Sequence, residues 1–441
     1  MNADLKPLKT AAEAAFAAHY EAAKNRLPGG PEVGHLREQA FQAFIADGLP
    51  HRRVEEWKYT DLRTILREAL PLAATPDAAG RKNLPATDPL RDVKLRTLVF
   101  VNGSFAPELS DLGALEKKLT VLPLAKALAD KHPLTGRIGT IRVDTYDPAL
   151  NLNTAFLNDG ALIEVGEGGA TERPIHIRHV FTGEAAATFT RSFCIVGSGA
   201  QVNLIETFEG PDGVPYQANA AFELQVGDKA RASLTRLQAE GDAALHLSSL
   251  VAEIGNGAEV DMGGLTTGAA VSRHTGFLRL AGEHTNLRLS GANLLRGKQH
   301  GDTTLVLDHA VPNCTSRETF RTVLDDSARG IVQGRIVVKP DAQKTDARMS
   351  LGALLLTEGA EANQKPELEI FADDVQCAHG ATSGAIDKQL LFYLMARAIP
   401  RKEAEALIVQ SFVSQALDQI VNEAVRDAFS ARAADWLAAR T

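Results

Sequence analysis

VGSGAQVNL, which begins at Val196, is repeated with changes as VGDKARASL from Val226 and as IGNGAEVDM from Ile254. Each copy has a small apolar residue, a turn, a second small residue and then alternating polar and apolar positions. The copies start roughly 30 residues apart, and a period of this length is typical of solenoids and propellers. Looser copies begin at Val165, Ala281 and Leu324.

The repeat predicts a right-handed parallel β-helix. Its units contain strands and turns without a helical stretch, which excludes leucine-rich, ankyrin and similar repeats. Propeller blades are longer, ~40–45 residues, and carry Trp-Asp dipeptides, which this chain lacks. The gap between Ala281 and Leu324 is longer than the others, and we expect it to contain one additional turn or insertion. An ordinary β-sandwich with similar hairpins is the alternative that the repeat leaves open.

Helical patterns flank the repeat on both sides. In residues 1–90, a segment rich in Ala and Glu is followed by EVGHLREQAFQAFIADG, which should end at Gly48. Residues 385–441 carry apolar residues at three- and four-residue spacing, with no Gly or Pro from Lys402 onwards. We expect this C-terminal zone to fold with some independence of the strands and to cap the end of the solenoid.

The β-helix core is predicted to occupy residues 91–384. It should start with a hairpin near residues 95–105, because the dipeptide Asn102-Gly103 suits a tight turn between two β-rich runs. The alternation of polar and apolar residues that is typical of strands resumes near Asn153. The predicted fold class is therefore mainly β, with a parallel β-helix core between two α-helical domains.

Composition narrows the function classes. The 441 residues include 47 basic and 55 acidic side chains, and the net charge of −8 argues against a general nucleic-acid binder. Three cysteines are too few for a disulfide framework or a four-thiolate metal site. No apolar run approaches the ~20 residues of a membrane span, and the N-terminus has no apolar signal core. We expect a soluble, cytoplasmic protein.

Familiar catalytic motifs are missing. GANLLRGKQ, residues 291–299, has five residues between its glycines where a phosphate-binding loop has four, and Gln299 stands where a Mg²⁺-binding hydroxyl belongs. It is predicted to be a turn between strands. His176 and His179 lie on one predicted strand at odd spacing, which places them on opposite faces and disfavours joint metal binding.

Cys377 and His379 in ADDVQCAHGATSG form the most suggestive pair. Two residues apart on a strand, they share one face. Thiolate and imidazole suit iron–sulfur or zinc chemistry, but two ligands cannot enclose a metal without help from elsewhere, such as a second chain. A buried cysteine and a hydrogen-bonded histidine without a metal is the alternative for such a pair taken alone.

Five longer stretches carry a resemblance to a known family. They are RVEEWKYTDLR (53–63), NLNTAFLNDGALI (151–163), HAVPNCTSRETFR (309–321), GRIVVKPDAQKTDARMSLGALLL (334–356) and KPELEIFADDVQCAHGATSGAIDKQLLFYLMARAI (365–399). With them, from about His51 to its end, the chain resembles the SufB/SufD family of the iron–sulfur cluster assembly machinery, on the SufD side. The resemblance implies N-terminal helices, a central right-handed parallel β-helix and a C-terminal helical domain.

The resemblance implies a scaffold subunit without catalytic residues. Such chains pair with the paralogous SufB through the β-helix and dock the ATPase SufC through the C-terminal helices, here residues 385–441. Nascent clusters are assembled on this complex, and the SufD-type chain is expected to contribute to iron acquisition. ATP hydrolysis would belong to SufC, in agreement with the missing phosphate-binding loop.

The resemblance also assigns the site. His379 matches a histidine at the SufB interface that is a candidate ligand for iron or the nascent cluster, and Cys377 matches a nearby cysteine that assists. Ala360 occupies the position of the sulfur-accepting cysteine of SufB-type chains. We therefore expect no cofactor bound stably by this chain alone and a transient iron–sulfur cluster at the interface. Whether reduced flavin binds the assembled complex, and whether the isolated chain forms a homodimer, stays open.

Two other function classes compete with this interpretation. A secreted β-helix carbohydrate lyase or esterase shares the predicted fold, but it needs a signal peptide and sugar-stacking aromatics, and aromatic residues make up only 5% of the chain. A self-assembling structural solenoid would form a homo-oligomer indifferent to SufB and SufC.

Overall fold

The computed structural model describes residues 9–77, 80–82, 84, 88–141 and 147–440. The strands are β1 (Arg96–Val101), β2 (Ser104–Phe105), β3 (Leu119–Pro123), β4 (Ala161–Val165), β5 (Ile175–Val180), β6 (Ala187–Val196), β7 (Gln201–Glu209), β8 (Gln217–Val226), β9 (Arg231–Ala239), β10 (Leu245–Ile254), β11 (Glu259–Thr266), β12 (Val271–Leu280), β13 (Asn286–Leu295), β14 (His300–His309), β15 (Thr315–Leu324), β16 (Arg329–Val338), β17 (Asp346–Leu355), β18 (Glu361–Ile370) and β19 (Gln376–Ala385). The helices are α1 (Ala11–Ala23), α2 (Pro31–Asp47), α3 (Leu62–Ile65), α4 (Leu124–Ala129), α5 (Pro148–Ala155), α6 (Lys388–Met395), α7 (Arg401–Leu417) and α8 (Glu423–Ala438).

The strands form two sheets that face each other across a packed interior, here called the lumen. From β4 onwards, successive strands alternate between a nine-stranded and a ten-stranded sheet, so each coil contributes one strand to each. Neighbours from successive coils are parallel, as in the pairing of β8 with β10 and of β10 with β12. About eight turns stack in this way. The predicted β-helix is confirmed, and the β-sandwich alternative is wrong.

The repeated sequence unit lies at one corner of each coil. Its fourth position takes the left-handed backbone conformation, with φ of 66° at Gly199, 56° at Lys229 and 63° at Gly257. Its second position needs glycine, because an added Cβ at Gly227 would lie 2.8 Å from the Ser198 backbone nitrogen of the coil below. The small residue that follows the left-handed position is buried, and Cys314 is one example. Its thiol is therefore a structural corner group.

The long gap in the repeat does contain one additional turn. A corner with left-handed Asn313 follows β14, one coil after the corner with left-handed His284. The copy at Leu324, however, belongs to the opposite corner of the coil, where β15 leads into β16. Its assignment to the same series was wrong, because both corners use a turn followed by a small residue.

The N-terminal helices cover the outer face of the nine-stranded sheet. Phe16 and Tyr20 of α1 contact Phe156, which stacks on Phe189 of β6 with ring centroids 4.6 Å apart. A capping box between Thr10 and Glu13 fixes the start of α1. The predicted end of the second helix at Gly48 is confirmed, as is the β1–β2 hairpin. The strand pattern was wrongly predicted to resume at Asn153, which lies in α5 and donates hydrogen bonds to the backbone carbonyls of Thr190 in β6 and Asn219 in β8.

The segment Glu55–Thr60 crosses the same outer face. The Trp57 ring lies 3.9 Å from the guanidinium carbon of Arg273, which pairs with the fully buried carboxylate of Asp302. Thr60 donates a hydrogen bond of 2.5 Å to Asp302. Glu55 reaches Lys365 of β18 at 2.5 Å, so this segment connects the N-terminal helices with the last coil.

The C-terminal helices lie against the outer face of the ten-stranded sheet and do not cap the end of the solenoid. The helical run predicted as one pattern is divided between α7 and α8, with a break near Ile420. Arg321 of β15 hydrogen-bonds Gln415 of α7 at 2.8 Å. One apolar cluster joins both layers: Leu237, Leu265, Leu294 and Val323 from the sheet, and Val409, Val413, Phe429 and Trp436 from the helices.

This packing corrects the expectation that the C-terminal zone folds with some independence. The outward residues of β9, β11, β13 and β15 are apolar where the helices lie, so removing the helices would expose that apolar face. The helices are therefore an integral layer of the fold, on the side opposite to the N-terminal helices.

Phe429→Ala tests this layer. Phe429 is fully buried between α8 and the sheet, and we expect its truncation to lower the free energy of unfolding of the whole chain by about 3–5 kcal/mol, measured in urea. Leu407→Ala, at a position of α7 that is 42% exposed, is the matched control and should stay within about 0.5 kcal/mol of wild type. An unchanged unfolding midpoint for Phe429→Ala would mean that the helices are a separate unit.

Candidate functional site

The two ends of the solenoid differ. At the first end, the outermost strands are short and run antiparallel to their neighbours: β3 has five residues and pairs with β4, and β2 has two residues and pairs with β1. At the last end, here called the open end, β18 and β19 each have a single neighbouring strand within the described structure. Each outermost strand therefore presents backbone N–H and C=O groups that no neighbouring strand covers. The open end is the natural place for another chain.

Exposure supports this view of the open end. All of β19 except Cys377 is exposed, and most of β18 is half-buried, in contrast to the buried strands of earlier coils. Two apolar side chains beside the end are exposed as well, Ile370 by 41% and Phe371 by 61%. An apolar surface next to free strand edges is typical of a protein interface.

Cys377 and His379 both lie on β19 at the open end, and they share one face as predicted. Their partners on β17 are Ala347 and Met349, whose side chains point into the lumen. Cys377 is half-buried against the lumen core, and burial raises the pKa of its thiol, which disfavours the thiolate. His379 is exposed. Ala360, which directly precedes β18, is buried at the corner of the same coil.

Glu318 lies on the same lumen-facing column, two strands below His379. By register, His379 of β19 is beside Met349 of β17, which is beside Glu318 of β15. Glu318 is 2% exposed, and its Oε1 has no hydrogen-bond partner in the described part of the chain. Burial raises its pKa to about 8. Sequence analysis missed this residue because nothing in TSRETF shows which face of the strand is shielded from solvent.

The other strand histidines have structural partners. His176 faces outwards and its Nε2 lies 2.9 Å from Thr207 Oγ1, while His179 faces the lumen between the rings of Phe100 and Phe208. The prediction that the two histidines lie on opposite faces is confirmed. Burial lowers the pKa of His176 to about 3, so its ring stays neutral.

A chamber of about 100 Å³, lined mainly by apolar surface but containing a cluster of polar side chains, lies deeper in the lumen, and sequence analysis did not foresee it. Arg236, whose side chain is 13% exposed, donates hydrogen bonds to the rings of His246 and His274 and lies 4.0 Å from Glu206. Burial and the neighbouring Arg236 hold the pKa of His274 well below its usual range. His274 is therefore part of a hydrogen-bonded network with Arg236 and Ser248.

Several predicted absences can be compared with the described residues. The segment 291–299, which resembles a phosphate-binding loop, was predicted to be a turn between strands, and only residues 296–299 form that turn, because residues 291–295 belong to β13. Within the described residues, no group of three or more His, Cys, Asp and Glu side chains is placed to hold a metal ion. No described helix is both long and apolar enough to cross a membrane.

The helix α6 forms a second exposed apolar surface, immediately after β19. Phe392 is 73% exposed and Tyr393 52%, and the Arg397 guanidinium lies 3.6 Å from the Tyr393 ring centroid. Leu390 and Met395 are exposed by 43% and 41%. Neither the sheet nor α7 covers this face of α6, although the helix follows directly from the open end.

Comparison with known proteins identifies the family. A family described as SUF system FeS cluster assembly, SufBD core domain, matches residues 179–412, and one described as SufBD protein N-terminal region matches residues 10–177. An iron–sulfur cluster assembly SufBD family protein of Synechocystis is 29% identical over 389 residues, 84% of each chain. The chain belongs to the SufB/SufD family of iron–sulfur cluster assembly proteins.

Relatives named SufD cover almost the whole chain. The iron–sulfur cluster assembly protein SufD of Escherichia coli is 28% identical over 400 residues, 90% of this chain and 91% of its own length. SufD of Bacillus subtilis is 24% identical over 407 residues, 89% and 91% of the two chains. This family role favours cluster assembly over the carbohydrate-active alternative.

The raised pKa of Glu318 predicts a pH dependence of stability. Its folded-state pKa of about 8 exceeds the unfolded value of about 4.3, so the folded chain binds more protons between those limits. The contribution of Glu318 to the free energy of unfolding should therefore fall as pH rises from about 4.5 to 8, by up to about 1.4 kcal/mol per pH unit. Urea unfolding of wild type and of Glu318→Gln at pH 5, 6, 7 and 8 measures this pH-dependent contribution.

The difference between Glu318→Gln and wild type should grow in favour of the variant as pH rises. Parallel pH profiles for the two proteins would mean that Glu318 is ionised and stabilised by a cation in the folded chain.

Proposed function

We propose that this chain is a non-catalytic scaffold subunit that pairs with a SufB-type partner through its open end and docks a SufC-type ATPase through its C-terminal helices. Nascent iron–sulfur clusters are assembled on that complex, and this chain contributes to iron acquisition. The observation that carries the proposal is the open end: two free strand edges with His379 at their surface and exposed apolar residues beside them.

Strand edges favour a partner of the same architecture. A second β-helix can continue both sheets at once, because its own terminal strands have the same spacing of about 4.8 Å and the same two-sheet arrangement. A paralogous SufB-type chain meets this requirement. A second copy of this chain meets it as well and is the alternative outcome in the experiments below.

His379 is the proposed ligand for iron or for the nascent cluster. Its ring is exposed at the free edge, where a partner chain can bring a thiolate opposite to it. Because the described residues contain no ready-made group of metal ligands, the site is complete only at the interface. Cys377 is placed to assist from the same face, but its half-buried thiol with raised pKa makes it the weaker candidate.

The face of α6 is the proposed docking surface for the ATPase. Phe392 and Tyr393 are aromatic and exposed, and aromatic side chains of this kind often dominate the binding energy of an interface. ATP hydrolysis is assigned to that partner, since the one segment of this chain that resembles a phosphate-binding loop is a turn between strands. No resident cofactor is proposed for this chain alone, and a flavin would bind only to the assembled complex.

His379→Ala should leave the complex assembled and abolish cluster formation. Truncating a typical interface residue costs less than about 1 kcal/mol, so co-purification with SufB- and SufC-type partners from the same genome should persist. Iron and acid-labile sulfide in the purified complex should fall to background, because no neighbouring side chain replaces the imidazole.

His35→Ala is the matched control, since His35 is an exposed histidine of α2 far from the open end. His176 and His274 are unsuitable controls because both are buried and hydrogen-bonded. Normal iron and sulfide in the His379→Ala complex would refute the ligand role. A stable homodimer that ignores both partners would favour the structural solenoid instead.

Replacing Phe392 and Tyr393 together by Ala should abolish docking of the ATPase subunit. Both side chains are largely exposed, so the chain should keep its unfolding midpoint while binding weakens by about 2 kcal/mol or more. Leu115→Ala, at an exposed apolar position near the opposite end, is the control. Pull-down of the SufC-type subunit at wild-type levels by the double variant would place the docking surface elsewhere. The double substitution tests docking more specifically than a deletion of all residues after Asp387. That deletion would also expose the apolar outer face of the ten-stranded sheet.

A further inference from the structure

Glu318 is a buried carboxyl that the fold does not explain. Other enclosed carboxylates of the solenoid have partners: Asp302 pairs with Arg273, Glu223 with Arg191 at 2.8 Å, and Glu240 with His246 at 2.7 Å. Among the residues that the structure describes, Glu318 Oε1 has no hydrogen-bond partner and no salt bridge reaches the carboxyl. Burying a carboxyl without a partner costs several kcal/mol, so packing alone gives no reason for it.

The position of Glu318 relates it to the open end. It lies two strands below His379 on one lumen-facing column, with only Met349 between them. Neighbouring strands are about 4.8 Å apart. An ion at the level of Met349 on β17 would therefore be one strand spacing from β15, which carries Glu318, and one from β19, which carries His379. Both side chains can reach such a point by leaning along the column.

The Met349 side chain fills the lumen at that level. Gly334, opposite Met349, has no side chain, and an added Cβ there would lie 2.6 Å from Met349 Sδ and 3.6 Å from Glu318 Oε2. The end of Met349 and the carboxylate therefore meet at the backbone of Gly334. Methionine is flexible and its thioether is polarisable, so Met349 can fill this volume when it is empty and yield when an ion enters.

We propose that Glu318 is a second ligand, beside His379, for the divalent iron that this chain receives, with the ion held in the lumen at the level of Met349. This proposal rests on the proposed function of His379. Carboxylate oxygen and imidazole nitrogen together suit iron(II), and the partner's thiolate would complete the set from the open side. Binding involves no change of oxidation state: the carboxyl releases its proton to solvent as the bond to the metal forms.

The test uses the isolated chain and cobalt(II), because both proposed ligands belong to this chain. Equilibrium dialysis should detect one weakly bound Co²⁺ per wild-type chain, and Glu318→Gln and His379→Ala should each weaken it roughly tenfold or more. Asp374→Asn is the control. It makes the same acid-to-amide change at an exposed carboxylate beside the open end, and should leave binding unchanged.

Thermal unfolding without metal separates a ligand from a structural carboxyl. Glu318→Gln removes a buried acid without a partner, so its melting temperature should equal or exceed that of wild type. A loss of Co²⁺ affinity with unimpaired stability supports the proposal. Destabilisation of metal-free Glu318→Gln overturns the proposal. A Co²⁺ affinity of Glu318→Gln equal to that of Asp374→Asn overturns it as well.

The dialysis also distinguishes this proposal from the proposed function. If His379→Ala loses Co²⁺ while Glu318→Gln binds it normally, Glu318 is not a ligand and the role of His379 stands. If wild type binds no Co²⁺, or if neither substitution changes binding, the lumen site is refuted; iron and sulfide in the His379→Ala complex then decide the role of His379 separately.

Discussion

Backbone hydrogen bonds between successive coils hold this protein together, and such a ladder has to end somewhere. Every strand from β4 to β17 gives its N–H and C=O groups to the coils on either side. At the first end, the ladder ends in the short antiparallel strands β2 and β3, of two and five residues. At the other end β18 and β19 leave it incomplete, and His379 lies on that unfinished edge. The geometry of the ladder thus selects the surface where a second protein can be joined.

The two sheets impose a second requirement, because their outer faces are partly apolar. The N-terminal helices cover the nine-stranded sheet, and α7 and α8 cover the ten-stranded sheet. Arg440 at the end of α8 also pairs with Asp325 at a coil corner, 2.6 Å apart. With both faces covered, the exposed apolar groups concentrate at the open end and on α6. Stability and partner binding therefore use different surfaces of one fold.

The lumen is not uniformly apolar, and its polar groups fall into two kinds. Arg236, His246 and Glu206 belong to a network around an internal chamber, where each charge has a counter-charge or an acceptor nearby. Networks of this kind are tolerated because their members compensate one another. Glu318 lacks such compensation, and it lies close to the end where a partner would supply it. That contrast distinguishes a structural polar cluster from a candidate binding group.

The sequence by itself predicted the β-helix, since a period near 30 residues, with a turn and small residues in each unit and no helical stretch between, leaves few other folds. It also placed Cys377 and His379 on one face, because alternation along a strand is a local property. Only the tertiary structure decided where the C-terminal helices lie and which corner Leu324 occupies. It also decided that Glu318 is shielded from solvent two strands below His379. These facts depend on which coil stacks on which and on what covers each sheet, and such contacts join residues about 30 or more positions apart that no local pattern relates.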